Sequence, residues 1–448
     1  MGLPPPARAF SLLPILLVAG VLGGCSGVRL PEPALVPQRT IPANEIVVLV
    51  PGITGVELKD PESGEILWGL GRNLLGPRDG GYGLALPISG EESPPLEPTG
   101  PLLEIRLSLF RKPVYGPIFE LLERSGYAWG NLGDPDSPGN LFSFSYDWRR
   151  DNVAAARLLA ARLQDLRRAR GPEPLRVNLV CQSNGGHICR YLAKYGASPL
   201  EAALAGRGGP PEGVDVAKVI FVGTSNGGSL RILQFLNEGR KYFPFGRKLL
   251  PETLFTYPSL FQDLPGYRRD LFLDSRGRPM DVDLFDAESW QTYGWSIFGE
   301  KAARRLGRTE RPDLFGTRPD RLRFLRARLQ QSRDLQRALR QDAPGFRGTR
   351  YLLIQSVYRE TPDRAVLLQE KGRWATLFAD QRRIRKDDYL RALAAAPGDG
   401  HAASASQTWL SPQEVEAIAA PPFYLDGPHF EMILETAVLR RLLEFLAL

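Results

Sequence analysis

Serine, histidine and aspartate can work together as a nucleophile, a base and an orienting acid when a strand-to-helix turn presents the serine and the histidine follows late in the chain. The segment Cys181-Gln182-Ser183-Asn184-Gly185-Gly186 has that setting, because it follows an apolar run and opens a helical one. Such a turn holds the serine in a strained backbone conformation that lifts its hydroxyl off the sheet edge, and small residues two positions to either side let strand and helix pack closely. Gly185 meets that need, while Cys181 stands where glycine is usual. Only three histidines occur, His187, His401 and His429. His429 is the expected base, because the base comes last in chain order; His187 falls one turn into the helix after Ser183, and His401 adjoins the expected acid. That acid is Asp399, in the flexible run Gly398-Asp399-Gly400, with Asp363 and Glu360 as fallbacks and Asp426 shaping the loop of His429. An oxyanion hole needs two backbone N–H groups. Asn184, next after the serine, supplies one, and Ile53 in Pro51-Gly52-Ile53-Thr54-Gly55 is the best candidate for the other.

The elements that must carry these residues can be read from apolar patterning. Residues 46–50 form a continuous, mostly β-branched run, as a strand buried on both faces would. Further strands are expected at 141–146, 175–181, 219–222 and 351–356. Asp151 or Asn152 can cap a helix whose apolar positions are Val153, Leu159, Leu163 and Leu166. A last helix is expected from about His429, with Phe430, Ile433, Leu434, Val438, Leu442 and Phe445 on one stripe. Strands alternating with helices predict an α/β fold with a mostly parallel central sheet. The alternation breaks at 224–348, where aromatic, proline-rich loops precede an arginine-rich helical stretch at about 300–341. The expected organisation is an α/β-hydrolase core at 45–223 and 349–448 with a cap inserted at 224–348. The aromatic run Tyr242, Phe243, Phe245, Leu249, Leu250, Phe255 and Tyr257 could pack the cap or meet lipid.

Composition narrows the function classes. The 448 residues are 43% hydrophobic and 24% charged, ordinary for a globular protein. The net charge of +7 is spread along the chain with no nucleic-acid-binding module, so no nucleic-acid partner is expected. Three cysteines exclude a disulfide-dense scaffold and a four-thiolate zinc site. No metal or organic cofactor is implied. At the N-terminus, Arg8 precedes an apolar run, 9–21, too short to span a bilayer. It ends in Leu22-Gly23-Gly24-Cys25, which resembles the bacterial lipobox. That resemblance implies export, lipidation of Cys25 and a membrane-tethered lipoprotein in the cell envelope, with Ser26 resembling an outer-membrane sorting signal if the cell is Gram-negative. Residues 1–25 are then the leader and 26–44 a proline-rich tether.

Several segments together resemble the lecithin:cholesterol acyltransferase family, whose members include acyltransferases and phospholipases A. They are Val50-Pro51-Gly52, Ser145-Tyr146-Asp147-Trp148-Arg149, the serine segment running to Arg190-Tyr191, Gly223-Thr224-Ser225-Asn226-Gly227-Gly228-Ser229, Tyr257-Pro258-Ser259, Gly398-Asp399-Gly400 and His429. The resemblance implies a lipid-acting O-acyltransferase or phospholipase A working through an acyl-enzyme on Ser183, with a lipid or ester substrate and a lipophilic alcohol as possible acceptor. It also implies that Tyr146 to Arg149 lie near the floor of the site; Asp147 and Arg149 are read as a structural ion pair. The sequence departs from the family at His401-Ala402-Ala403, where Thr-Val-Pro is usual, and at Gln182, where histidine is common. It leaves no cysteines for the disulfide-closed lid of animal members. The alternatives are a carboxylesterase or lipase on non-membrane esters, and an inactive lipid-binding envelope lipoprotein.

Overall fold

A computed structural model of the chain describes residues 30–31, 40–69, 73, 76–77, 79–88, 95–107, 110–242, 246–309 and 311–448. Cys25, the leader, most of the 26–44 tether, Phe243 and Phe245 lie outside the described residues. The central sheet has six strands, β1 (Glu45–Val50), β2 (Leu141–Ser143), β3 (Leu175–Gln182), β4 (Val214–Val222), β5 (Arg350–Ser356) and β6 (Phe423–Leu425). Their spatial order is β6-β5-β4-β3-β1-β2, and every neighbouring pair is parallel. In β1 the reason for the continuous apolar run is visible. Ile46, Val48 and Val50 pack into one core cluster and Val47 and Leu49 into another, on the opposite face of the sheet. Each such side chain, fully removed from water, contributes about 1.5–3 kcal/mol.

Helices cover both faces. Asp151 caps α1 (Asn152–Arg170) by accepting from Ala154 N–H at 2.7 Å, Leu159 and Leu163 are buried against the sheet, and Arg167, Arg168 and Arg170 complement the helix dipole at its C-terminus. Helix α2 (Gly185–Tyr195) follows β3 and is buried along its whole length. The long cap helix α3 (Arg318–Arg340) starts with a capping box between Thr317 and Asp320. Helix α4 (Thr436–Ala447) packs Val438, Leu439 and Leu442 into the second cluster. No helix among the described residues is long and apolar enough to cross a membrane.

Two expectations need correction, and two further features were not foreseen. The last helix begins at Thr436, not His429, because residues Met432–Leu434 form a 3-10 turn and Glu435 after it is extended; Phe430 lies off the apolar stripe and is 47% exposed. The strand expected at 141–146 stops at Ser143, where the chain leaves the sheet so that Tyr146 and Trp148 can turn into the core. β6 is an added strand of three partly exposed residues, too short to show a period. A smaller sheet joins segments on either side of residue 348. Phe272–Leu273 of the insertion pairs with Ala365–Glu370, which pairs with Arg373–Leu377, so ladder hydrogen bonds join residues after β5 to the cap.

Candidate active site

Ser183 stands at the turn between β3 and α2 with φ +54°, the left-handed backbone region that L side chains occupy at a cost of about 1–3 kcal/mol. The turn is held by Ser183 N–H donating to Val222 O (3.2 Å) and Gly186 N–H donating to Ser183 O (3.0 Å). Gly185 is required by close approach. A Cβ there would lie 2.3 Å from the carbonyl oxygen of Val50, so only glycine lets α2 come this near β1. Cys181 is not a small stand-in for glycine. It forms a disulfide with Cys189, tying the end of β3 to the second turn of α2 around the serine, and both cysteines are fully buried. Cysteines eight residues apart across a strand-to-helix turn were the available signal for this pairing.

The structure brings Ser183, His429 and Asp399 into one buried hydrogen-bonded chain. His429 Nε2 is 2.8 Å from Ser183 Oγ, and His429 Nδ1 is 2.8 Å from Asp399 Oδ2. The other carboxylate oxygen of Asp399 accepts the N–H groups of His401 (2.8 Å) and Ala402 (2.7 Å). Backbone groups do this work, which is why the departure from Thr-Val-Pro leaves the acid loop intact. The fallback acids are engaged elsewhere, Asp363 by Tyr267 (2.6 Å) and Arg268 and Glu360 by Arg391, while the exposed Asp426 pairs with Arg359. His401 stacks on His429 with ring centroids 4.3 Å apart. Burial, followed by the neighbouring His429 and two arginines, holds its pKa well below the ordinary histidine value, so it is a neutral ring against His429.

The loop after β1 reaches Ser183. Gly52 passes so close that a Cβ would lie 2.8 Å from Ser183 Cβ. Its N–H donates to the hydroxyl of Tyr115 (3.2 Å), which donates in turn to Gln182 Oε1 (2.9 Å). Gln182 Nε2 reaches His429 O at 3.5 Å, so the residue that replaces the common histidine links the oxyanion loop to the histidine loop. Among the described residues, the N–H groups of Ile53 and Asn184 donate to no protein acceptor, which leaves both free for a developing oxyanion. The Asn184 side chain is locked by a reciprocal amide pair with Asn152 (2.8 and 2.9 Å). Tyr115 was missed by sequence reasoning, since nothing in its surroundings has the spacing of a chemical motif.

Supporting groups surround this centre. Tyr146 donates to Pro51 O (2.8 Å), Trp148 to Val56 O (3.0 Å), and Arg149 and Asp147 form the expected buried ion pair, with Arg149 also donating to Leu84 O. Behind α2, Arg190 makes two 2.7 Å bonds to Glu414, and Lys194 donates to Leu339 O and Gln341 O. The two cations hold the Glu414 pKa at about 2 against its burial, which acts the other way and is the largest single influence. His187 donates through Nε2 to Ser225 O (2.8 Å), and burial lowers its pKa to about 4. Near it, burial raises Asp263 to about 8, and the neutral carboxyl is bonded to Ser225 Oγ at 2.6 Å. No cluster of His, Cys, Asp or Glu among the described residues could hold a metal ion.

Beside the serine lies a cavity of about 230 Å³. Gln182 and Ile53 border it on the nucleophile side, Phe430 adjoins the histidine, and Trp68, Leu102, Ile105 and Val114 give it apolar walls. Tyr242 lines it as well, whereas Leu249, Phe255 and Tyr257 of the aromatic cap segment are buried in the protein core.

No family profile and no curated protein matches this sequence. Among solved structures, the chain is similar to one in the crystal structure of the Tle4-Tli4 complex, with TM-score 0.53 and 14% identity, covering 90% of this chain and 98% of that one. Another match is the mature form of Bacillus licheniformis lipase BlEst2, with TM-score 0.31 and 12% identity, covering 92% and 94%. The parallel sheet flanked by helices, with the serine at its β3–α2 turn, is an α/β-hydrolase fold.

Proposed function

We propose that this chain is a serine hydrolase of lipid esters that works through an acyl-enzyme. The observation that carries the reading is the Ser183–His429–Asp399 hydrogen-bonded chain opening beside a largely apolar cavity. His429 Nε2 takes the Ser183 proton as Oγ attacks the ester carbonyl, while Asp399 holds the imidazole in the tautomer that leaves Nε2 free to accept. The N–H groups of Ile53 and Asn184 stabilise the oxyanion. Collapse of the tetrahedral intermediate passes that proton to the leaving alcohol and leaves the acyl group on Ser183. Water, activated by the same histidine, then releases the acid and restores the serine. An alcohol in place of the water yields a new ester, the acyl-transfer outcome that the resemblance to the lecithin:cholesterol acyltransferase family favours.

The lipobox-like run ending at Cys25 supports a lipid-anchored envelope location, and such an anchor would keep the site near a bilayer at high local lipid concentration. A fluorophosphonate probe should label the protein on Ser183, and Ser183→Ala should abolish labelling. Vesicles of labelled phospholipid, with and without a lipophilic alcohol, should yield free fatty acid and, with the alcohol, labelled ester. Labelled ester no greater than in the no-enzyme control would remove the transferase outcome. Absence of both products alongside cleavage of short soluble esters would remove the lipid reading. Cys25→Ser should move the protein out of the membrane fraction, and unchanged fractionation with no lipid on Cys25 by mass spectrometry would remove the anchor.

A further inference from the structure

The turn that carries Ile53 is held at most of its carbonyls. Tyr146 donates to Pro51 O (2.8 Å), Gly55 N–H to Gly52 O (3.0 Å), Trp68 Nε1 to Thr54 O (2.9 Å) and Leu102 N–H to Gly55 O (2.9 Å). Thr54 sits at φ +70°, a left-handed conformation that a β-branched residue keeps only where its surroundings impose it. Within one trans peptide plane the N–H lies opposite the C=O. With Gly52 O turned in to Gly55, the Ile53 N–H on the same plane therefore points out of the turn. The joint that orients this plane is Gly52, which has no Cβ to restrict its two backbone dihedrals.

One side chain pins that joint. Gly52 N–H donates to the Tyr115 hydroxyl (3.2 Å), which donates in turn to Gln182 Oε1 (2.9 Å). Tyr115 is buried, and burial pushes the pKa of its phenol far up, so it keeps the proton it donates. Its backbone is fixed as well. Tyr115 N–H donates to Leu102 O (3.2 Å), and Leu102 is the residue whose N–H holds Gly55. The two glycines of the turn make room for this contact. A Cβ on Gly55 would lie 2.8 Å from the Tyr115 hydroxyl oxygen, and one on Gly52 would lie 2.7 Å from Gln182 Oε1. The spacing Gly52-Ile53-Thr54-Gly55 thus fits the turn around one buried oxygen.

We propose that Tyr115 is a positioning residue for the reaction: its hydroxyl, clamped between Gly52 N–H and Gln182 Oε1, sets the plane of the Gly52–Ile53 peptide and so aims the Ile53 N–H at the oxyanion. This rests on the ester-hydrolase reading above and deepens it by naming what holds one of its two oxyanion donors. Tyr115 also lines the cavity beside Ser183, so a direct contact with substrate is the rival role that the test must separate. The two roles differ in when they act. A donor aimed at an oxyanion contributes only once that charge forms, whereas a cavity wall acts on the bound substrate as well.

The experiment uses Tyr115→Phe, which removes one oxygen and keeps the ring. On a short soluble ester, kcat per fluorophosphonate-titrated site should fall by about 10- to 100-fold, no more than the loss of an oxyanion donor outright, while KM stays within about twofold. A trifluoromethyl ketone, whose adduct with Ser183 places an oxyanion in the hole, should lose affinity by the same factor as kcat/KM. Gln182→Met keeps the hydroxyl but removes its acceptor. It should show the same pattern at smaller size, and it carries the test if Tyr115→Phe does not fold. An unchanged kcat per site would overturn the proposal, with a raised KM marking a substrate contact and fewer titratable sites a purely structural role. A fall in kcat that leaves the ketone's affinity untouched would overturn it too. Wild-type protein that neither cleaves the ester nor takes the fluorophosphonate would instead overturn the hydrolase reading beneath it.

Discussion

Replacing Gly185 by alanine tests whether the catalytic geometry depends on how closely α2 approaches β1. The added methyl would sit 2.3 Å from Val50 O and 3.0 Å from Pro51 O, where ordinary contact begins at 3.4 Å. The shortfall of about 1 Å has to be made up by movement, because the obstacle is backbone. Val50 cannot retreat easily, since β1 is hydrogen-bonded to β3 on one side and β2 on the other. The N-terminus of α2 must therefore move, and with it Asn184 N–H and Ser183. The Cys181–Cys189 bridge and the Arg190–Glu414 pair resist that movement, so part of the strain remains in the fold. Overpacking of this kind costs about 1–3 kcal/mol, and a 1 Å misplacement of reacting groups costs on the order of 10²-fold in rate. Gly185→Ala should thus fold, melt a few degrees lower and lose about two orders of magnitude in kcat on a short soluble ester. Titration with a fluorophosphonate separates slow sites from missing ones. Activity within about threefold of wild type, at full site occupancy, would refute the claim that this contact sets the geometry.

Other outcomes follow from the same coordinates. Ser183→Ala or His429→Ala should each lower kcat by roughly 10⁴-fold or more, and Asp399→Asn somewhat less; near-normal activity in Asp399→Asn, with loss in an Asp363 or Glu360 variant, would reassign the acid. Removing both Cys181 and Cys189 as alanines should cost about 2–3 kcal/mol in a denaturant titration, from the loop entropy alone, and no change would mean the bridge does not constrain the unfolded chain. Asp263 holds a proton in the fold up to about pH 8, whereas the unfolded chain releases it in the ordinary carboxylate range. Stability should therefore fall as pH rises through that window, with a slope of about 1.4 kcal/mol per pH unit from this group. Asp263→Asn should flatten the dependence, and an unchanged slope between about pH 5 and pH 8 would show that Asp263 is ionised in the fold.

The central sheet was readable where its strands are buried on both faces. β1, β3 and β5 carry runs that no amphipathic helix would show, while β6 is short and half-exposed, with no period to find. Ser183, Asp399 and His429, which meet in the fold, could be singled out from a strand-to-helix turn and the chain order serine, acid, histidine. Residues that act by holding others left no such mark. Tyr115, Asn152 and Glu414 reach the site from distant segments, through contacts that only the folded chain creates. The start of the last helix was misplaced because apolar spacing runs on through the 3-10 turn Met432–Leu434 and cannot report that Glu435 is extended. The small sheet that joins Phe272–Leu273 to Ala365–Glu370 left no mark either, because its two-residue strand is too short to show a period.

The stacking of His401 on His429 has a spectroscopic consequence. Each imidazole lies in the ring current of the other, so the carbon-bound protons facing the neighbour should resonate at higher field than in an isolated ring. The chain contributes only three imidazoles to that crowded region of a proton spectrum. Two of them, His187 and His401, are held neutral by burial and stay silent as the solution is titrated across the neutral range. The remaining imidazole signals belong to His429, and their displacement when the serine bonded to that ring is acylated would follow the reaction without a label.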